Sequence, residues 1–420
     1  CSTYKRIQKK ATHEHWAQIM KFLAAKTNPH LVTLVVITAA SIVSLNMFLP
    51  SLANMASEFN VSYRVMNISV AGYLAVTAIL QIIIGPLSDR YGRRIVLLSS
   101  VIIFCLSTIG CIFSSNIWWF LFFRILQGAM ISGTALSRAI VRDMMDSKEA
   151  VKVLSIISMA MAIVPMLAPM IVGFLDELYG WRTSFWVYLI MGLSLLILIW
   201  FDLGETNTKK SETLYKQLST YPKLFKSGQF WGYSICMSAS VACFYGFLSG
   251  APLVATKVLN LPPTELGLFI GTTSLGFFIG SFLSTKLNIY FNLTQMILFG
   301  RIIAVLGIST GLILVLMGYV STLTIFGSMV FIGLGNGFSL PSSHVGIMNV
   351  RSDLAGSASG LSGAMAVGFG AVVATLMGLI LTAENGAYNF LLILLITKLI
   401  SLFAACYVHV LETSPKKNKK

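Results

Sequence analysis

Apolar residues in this chain fall into long runs separated by short polar gaps. A helix needs about 20 apolar residues to cross a hydrocarbon layer roughly 30 Å thick. Twelve runs meet that length: 31–52, 66–88, 95–114, 117–141, 151–175, 182–203, 229–253, 264–286, 295–317, 321–345, 355–381 and 386–410. The longest gap, 204–228, is polar, carries five lysines and divides the runs six and six. The pattern predicts an all-α membrane protein of twelve transmembrane helices in two six-helix pseudo-repeats. Its parts are a basic N-terminal arm (1–30), a first bundle (31–203), a linker (204–228), a second bundle (229–410) and a basic tail (411–420). The arm has no small-residue cleavage site after its weakly apolar stretch, so it is not expected to be a cleaved signal.

Composition agrees with this pattern. The 420 residues are 56% apolar and only 11% charged, against about 25% charged in a soluble domain. Mean hydropathy is +0.81, so lipid must cover much of the surface. The net charge of +15 does not point to nucleic acid, because the basic residues sit at helix ends and in short loops. With the N-terminus inside, 23 Lys and Arg residues fall on one side and only Arg64, Arg182 and Lys257 on the other. The positive-inside rule then puts both termini in the cytoplasm. Five of the six cysteines lie in apolar runs and none forms a CxxC pair, so they read as small core residues. The His13-Glu14-His15 triplet is too short a cluster to predict a metal, and neither metal nor cofactor is expected.

The two sets of six show faint self-similarity. Gly85-Pro86-Leu87-Ser88 and Gly280-Ser281-Phe282-Leu283 each end the second run of their set. Parallel repeats of this kind are a transporter architecture, with the binding site between halves near the membrane midplane.

Three stretches carry mechanism. Gly85-Pro86-Leu87-Ser88-Asp89-Arg90-Tyr91-Gly92-Arg93-Arg94 joins the second and third runs. There Gly85 would let a neighbouring helix approach closely, Gly92 would form the turn, and Asp89 would face the positive end of another helix. Arg124-Ile125-Leu126-Gln127-Gly128 lies in the fourth run. Pro165 to Gly173, with Pro169 between, lies in the fifth, where the prolines permit a kink.

These stretches resemble the signatures of the major facilitator superfamily. More narrowly, Leu49-Pro50, Arg142-Asp143, Pro165 to Gly173, and Phe247 to Pro252 resemble its Bcr/CflA drug-resistance branch. The resemblance runs from about residue 31 to 410. It implies a secondary transporter working by alternating access, an antiporter exporting drugs or metabolites from the bacterial inner membrane. It also implies that Asp89 latches the halves against the start of the eleventh span, near Ser352 to Gly356.

Arg124 sits where a charge is unfavourable by about 2.5–3.5 kcal/mol, so it should face the bundle interior and find partners. Asn46 and Gln127 offer it only dipoles. The resemblance places an aspartate where this chain has Asn46, three residues before Leu49. No Asp or Glu lies deep in any predicted span. Proton coupling of the usual kind is therefore in doubt. A cavity holding Arg124 without a carboxylate suits anionic, zwitterionic or neutral amphipathic cargo. Candidate cavity residues are Asn46, Tyr73, Gln81, Arg124, Gln127, Phe244, Tyr245 and Asn336. The glycines of the eleventh span favour close packing or sliding. His344 is read as a helix-end polar residue. Arg301 is expected to snorkel to the interface, and the mid-span Lys398 receives no role.

The chain carries no P-loop and no HExxH motif, which argues against an ATPase and against an enzyme. The alternatives are a nutrient importer or a transport-inactive receptor or scaffold. The expected partners are a small-molecule substrate, the lipid bilayer and, in some couplings, protons; a monomer is expected.

Overall fold

In the computed structural model the described residues are 29–145, 153, 157, 164, 167–207, 221–287, 289–351 and 355–413. Among them the fold is all-α. We number the helices α1 (Leu31–Glu58), α2 (Tyr63–Tyr91), α3 (Arg93–Phe113), α4 (Ile117–Val141), α5 (167–179) and α6 (Arg182–Asp202). The later set is α7 (Gly228–Val258), α8 (Pro263–Leu287), α9 (Leu293–Leu316), α10 (Thr322–Val350), α11 (Ala355–Ile380) and α12 (Gly386–Thr413). Eleven of them are long and apolar enough to cross a membrane; only α5, described over its later part, is shorter. Side chains such as Leu106, Ile190 and Phe403 are more than 60% exposed, and only lipid can cover so much apolar surface.

Two helices are interrupted, and both interruptions shape the interior. The ring of Pro50 has no N–H and crowds the carbonyl of Asn46. Regular helix therefore stops at Asn46, passes through a 3₁₀ turn at Leu49–Ser51 and resumes at Leu52–Glu58. The first span thus continues past residue 52, where the run of apolar residues ends. In α4, Gln127–Ile131 tightens to 3₁₀ geometry.

Among the earlier helices, α1 packs on α4 and α3 on α6. Edge-to-face rings of Phe120, Trp181, Phe185 and Tyr188 fill the space between them. Among the later ones, α10 packs between α8 and α9, while α7 contacts α11 and α12. Two seams join the sets. The first is α2 against α11. The second is α5 against α8, where a Cβ on Gly173 would come within 2.9 Å of the Pro263 carbonyl carbon. Both seams close at the end opposite the 85–94 loop. There Tyr63 Oη donates to the Ser249 carbonyl at 2.6 Å, and Asn67 Nδ2 donates to the Ala374 carbonyl at 2.6 Å. Ser249 Oγ donates to Asn67 Oδ1 at 2.5 Å, and the Thr264 N–H donates to Glu177 Oε1 at 3.0 Å.

Candidate functional site

The break in α1 prepares a seat for Arg124. In an unbroken helix the Phe48 N–H would bond the Ser44 carbonyl. Instead the Phe48 N–H donates to Tyr188 Oη at 3.2 Å, and Tyr188 Oη donates to the Val43 carbonyl at 3.1 Å. The freed Ser44 carbonyl accepts from Arg124 Nη2 at 2.9 Å. Arg124 Nη1 donates to Gln127 Oε1 at 2.6 Å, and Gln127 Nε2 donates onward to Thr108 Oγ1 at 2.7 Å. The guanidinium lies between two rings, 4.0 Å from the Phe48 centroid and 4.4 Å from that of Tyr73. Ring faces are negative, so this sandwich stabilises the charge where water cannot reach. Arg124 is fully buried, and its Nε is the only guanidinium nitrogen without a partner. Among the described residues no carboxylate pairs with it.

The eight expected cavity residues do not form one cluster. Arg124, Tyr73 and Gln127 do come together, with Ser44 and Phe48 added. Asn46 is buried beside them, but its Oδ1 has no partner. Gln81 and Tyr245 lie on the α11 seam, against Gly363 and Gly370. Phe244 packs on Tyr245 and Phe247. Asn336 belongs to a second polar cluster with Ser240, Arg301 and Lys398. Arg301 is a correction: it does not snorkel. It is fully buried, because Gly300 meets the Gly335 carbonyl so closely that the next residues, Arg301 and Asn336, are brought together inside the bundle. Paired glycines one residue before each group are the sequence signal for this second cluster, which charge counting alone missed.

The 85–94 loop is fastened within the first set. Arg93 pairs with Asp89 at 2.5 Å and with Asp143 at 3.0 Å, and also donates to Ser88 Oγ. Gly92 turns the chain at φ 104°, which only glycine adopts without strain. Glu205 accepts the Arg93 N–H at 2.9 Å and the Arg94 N–H at 3.3 Å, satisfying the open start of α3. Arg94 also donates to the Trp200 carbonyl, and Arg90 stacks on Tyr91. One expectation changes here. Among the described residues nothing lies within 4 Å of a Cβ built on Gly85. Its value is instead in preceding Pro86 within a continuing helix, where a Cβ would clash with the proline ring. The ion pair of Asp89 is with Arg93, one turn away; of its expected partner segment, Ser352 to Gly356, residues 352–354 lie outside the described residues, as does Pro165.

Gly128 faces α2, where a Cβ would come within 3.3 Å of Thr77 Cγ2 and 3.4 Å of Val76 Cγ1. Pro169 supplies a carbonyl that Gly267 of α8 approaches closely. Arg142 lies in the last turn of the helix that continues α4. His344 is half-buried on α10.

Comparison with known proteins places these features in a family. The profile described as Major Facilitator Superfamily matches residues 34–375. A Bacillus subtilis protein called uncharacterized MFS-type transporter YdgK is 30% identical, over 80% of this chain and 85% of its own length. Multidrug resistance protein D of Escherichia coli is 25% identical, over 87% of this chain and 92% of its own. The crystal structure of a D-xylose-proton symporter superposes with a TM-score of 0.70 at 17% identity, covering 90% of this chain and 96% of that one.

Proposed function

This chain belongs to the Major Facilitator Superfamily, a family of transporters and not of enzymes, and from that premise we propose that it exports a small amphipathic drug or metabolite. The fold is that of an alternating-access secondary transporter, and the protein is a multi-pass membrane protein. Our reading adds twelve spans in two six-helix repeats, cytoplasmic termini, a monomer, the bacterial inner membrane and the Bcr/CflA-like branch. Export is favoured because a relative is named for drug resistance. Import of a nutrient is the second reading, since the symporter named above shares the architecture.

One observation supports the cargo class: Arg124 is buried on rings and neutral dipoles, with no carboxylate paired to it among the described residues. The field of such an interior is positive, so it repels lone cations and tolerates acids, zwitterions and neutral molecules. Asn46 cannot exchange a proton, so in this reading coupling does not run through that position. The test is transport in proteoliposomes with carboxyfluorescein and with ethidium. Wild type moves the anionic dye in preference, and Asn46→Asp shifts the preference toward ethidium by at least about tenfold, or about 1.4 kcal/mol. Wild-type preference for ethidium sinks the proposal.

A second variant probes the loop. Asp89→Asn removes one anion from Arg93 but leaves Asp143 and Ser88 in place. We expect correct insertion with transport slowed about threefold to tenfold, since a partly exposed ion pair contributes up to about 1 kcal/mol and the latch role somewhat more. Unchanged turnover removes Asp89 from the transport cycle.

A further inference from the structure

Four helices of the later set meet at a point where donors outnumber acceptors. Arg301 of α9, Lys398 of α12 and Ser240 of α7 are fully buried, and Asn336 of α10 is nearly so. Lys398 Nζ donates to Ser240 Oγ at 2.6 Å and to Asn336 Oδ1 at 2.7 Å. Arg301 Nη1 donates to the same two oxygens, to Asn336 Oδ1 at 3.1 Å. The Ser240 hydroxyl also donates to Asn336 Oδ1. One amide oxygen, with two lone pairs, is thus approached by three donors. Meanwhile Arg301 Nε and Nη2 have no hydrogen-bond partner although buried. Among the described residues no carboxylate pairs with either cation.

Buried polar groups are almost always satisfied, and buried charges are paired. This cluster is short of acceptors and short of negative charge. The neighbouring Nε and Nη2 form one edge of the guanidinium fork, which fits the two oxygens of a carboxylate side by side. Lys398, on the same two bridging oxygens, adds a second positive charge. Phe244 lies one turn from Ser240 on α7 and offers apolar surface next to the polar cluster.

We propose that Arg301, Lys398, Ser240 and Asn336 form a binding site for a carboxylate or similar small oxyanion inside the later helix set. Arg301 holds it through Nε and Nη2, and Lys398 supplies charge. Ser240 and Asn336 keep the two cations in register. The site is separate from Arg124, whose Nη1 and Nη2 are already engaged.

The test uses the purified full-length protein in nanodiscs, at constant ionic strength, with binding read by calorimetry and by the thermal unfolding midpoint. The probes are formate, octanoate and octylammonium. Formate or octanoate binds saturably and raises the midpoint, and octylammonium does not. Stabilisation by formate assigns the site to a free small oxyanion. Stabilisation by octanoate alone assigns it to the acid group of an amphipathic molecule. Arg301→Lys keeps the charge but removes the fork and weakens binding at least tenfold; Lys398→Gln does the same by removing charge. Absence of saturable binding of both acids to the wild type overturns the proposal, as does undiminished affinity in either folded variant. If neither variant folds, the wild-type contrast between octanoate and octylammonium decides. Because no step of the test requires transport, its failure is distinct from failure of the export reading.

Discussion

Replacing Arg124 with alanine is expected to abolish transport and to destabilise the protein by at least about 3 kcal/mol. Two charge-assisted bonds are lost, each contributing about 1.5–3 kcal/mol, and their acceptors are left buried. The Phe48 and Tyr73 rings lose the cation between them, and a cavity opens. Arg124→Lys is expected to recover stability in part but not transport. A compact ammonium cannot bridge Gln127 and Ser44 while lying flat between two rings. Dye flux in proteoliposomes and thermal unfolding of the detergent-solubilised protein measure the two effects. Flux above about a tenth of wild type in Arg124→Ala removes Arg124 from the mechanism, since tenfold corresponds to only about 1.4 kcal/mol.

The second large effect belongs to Gly173→Val. A Cβ there meets the backbone of Pro263 and Thr264, which cannot rotate away as a side chain can. Overpacking of this kind costs about 1–3 kcal/mol. It acts only where α5 and α8 are in contact, so it disfavours the closed seam relative to an open one. A bias of that size shifts the two populations about 5- to 150-fold. Spin labels placed on α5 and α8 at this end are expected to report a longer mean distance in Gly173→Val, together with slower transport. An unchanged distance distribution shows that the seam does not part during the cycle.

Much of this fold was legible because lipid imposes a simple rule: long apolar runs become helices. Eleven of the twelve predicted runs correspond to helices long enough to span, and the other, 151–175, lies largely outside the described residues. The details that failed depend on backbone and on partners distant in sequence. No side-chain pattern shows that Pro50 frees the Ser44 carbonyl for Arg124, because the acceptor is main chain. Arg301 reads as a snorkelling residue until the Gly300–Gly335 contact fixes which way it points. Gly85 reads as a packing glycine, but its neighbour in sequence, Pro86, accounts for it. Gln127, by contrast, was identifiable, because a residue three positions from a buried arginine on one helix must share its face.

The carboxylate of Glu205 has a mechanical consequence. By holding the first N–H groups of α3, and with Asn207 Nδ2 donating to the Asp89 carbonyl, it ties the segment that follows α6 back onto the turn between α2 and α3. The chain that leaves α6 is therefore anchored to the earlier helices as far as Asn207. Two side chains, Glu205 and Asn207, thus fix the point at which the chain departs from the turn at Gly92.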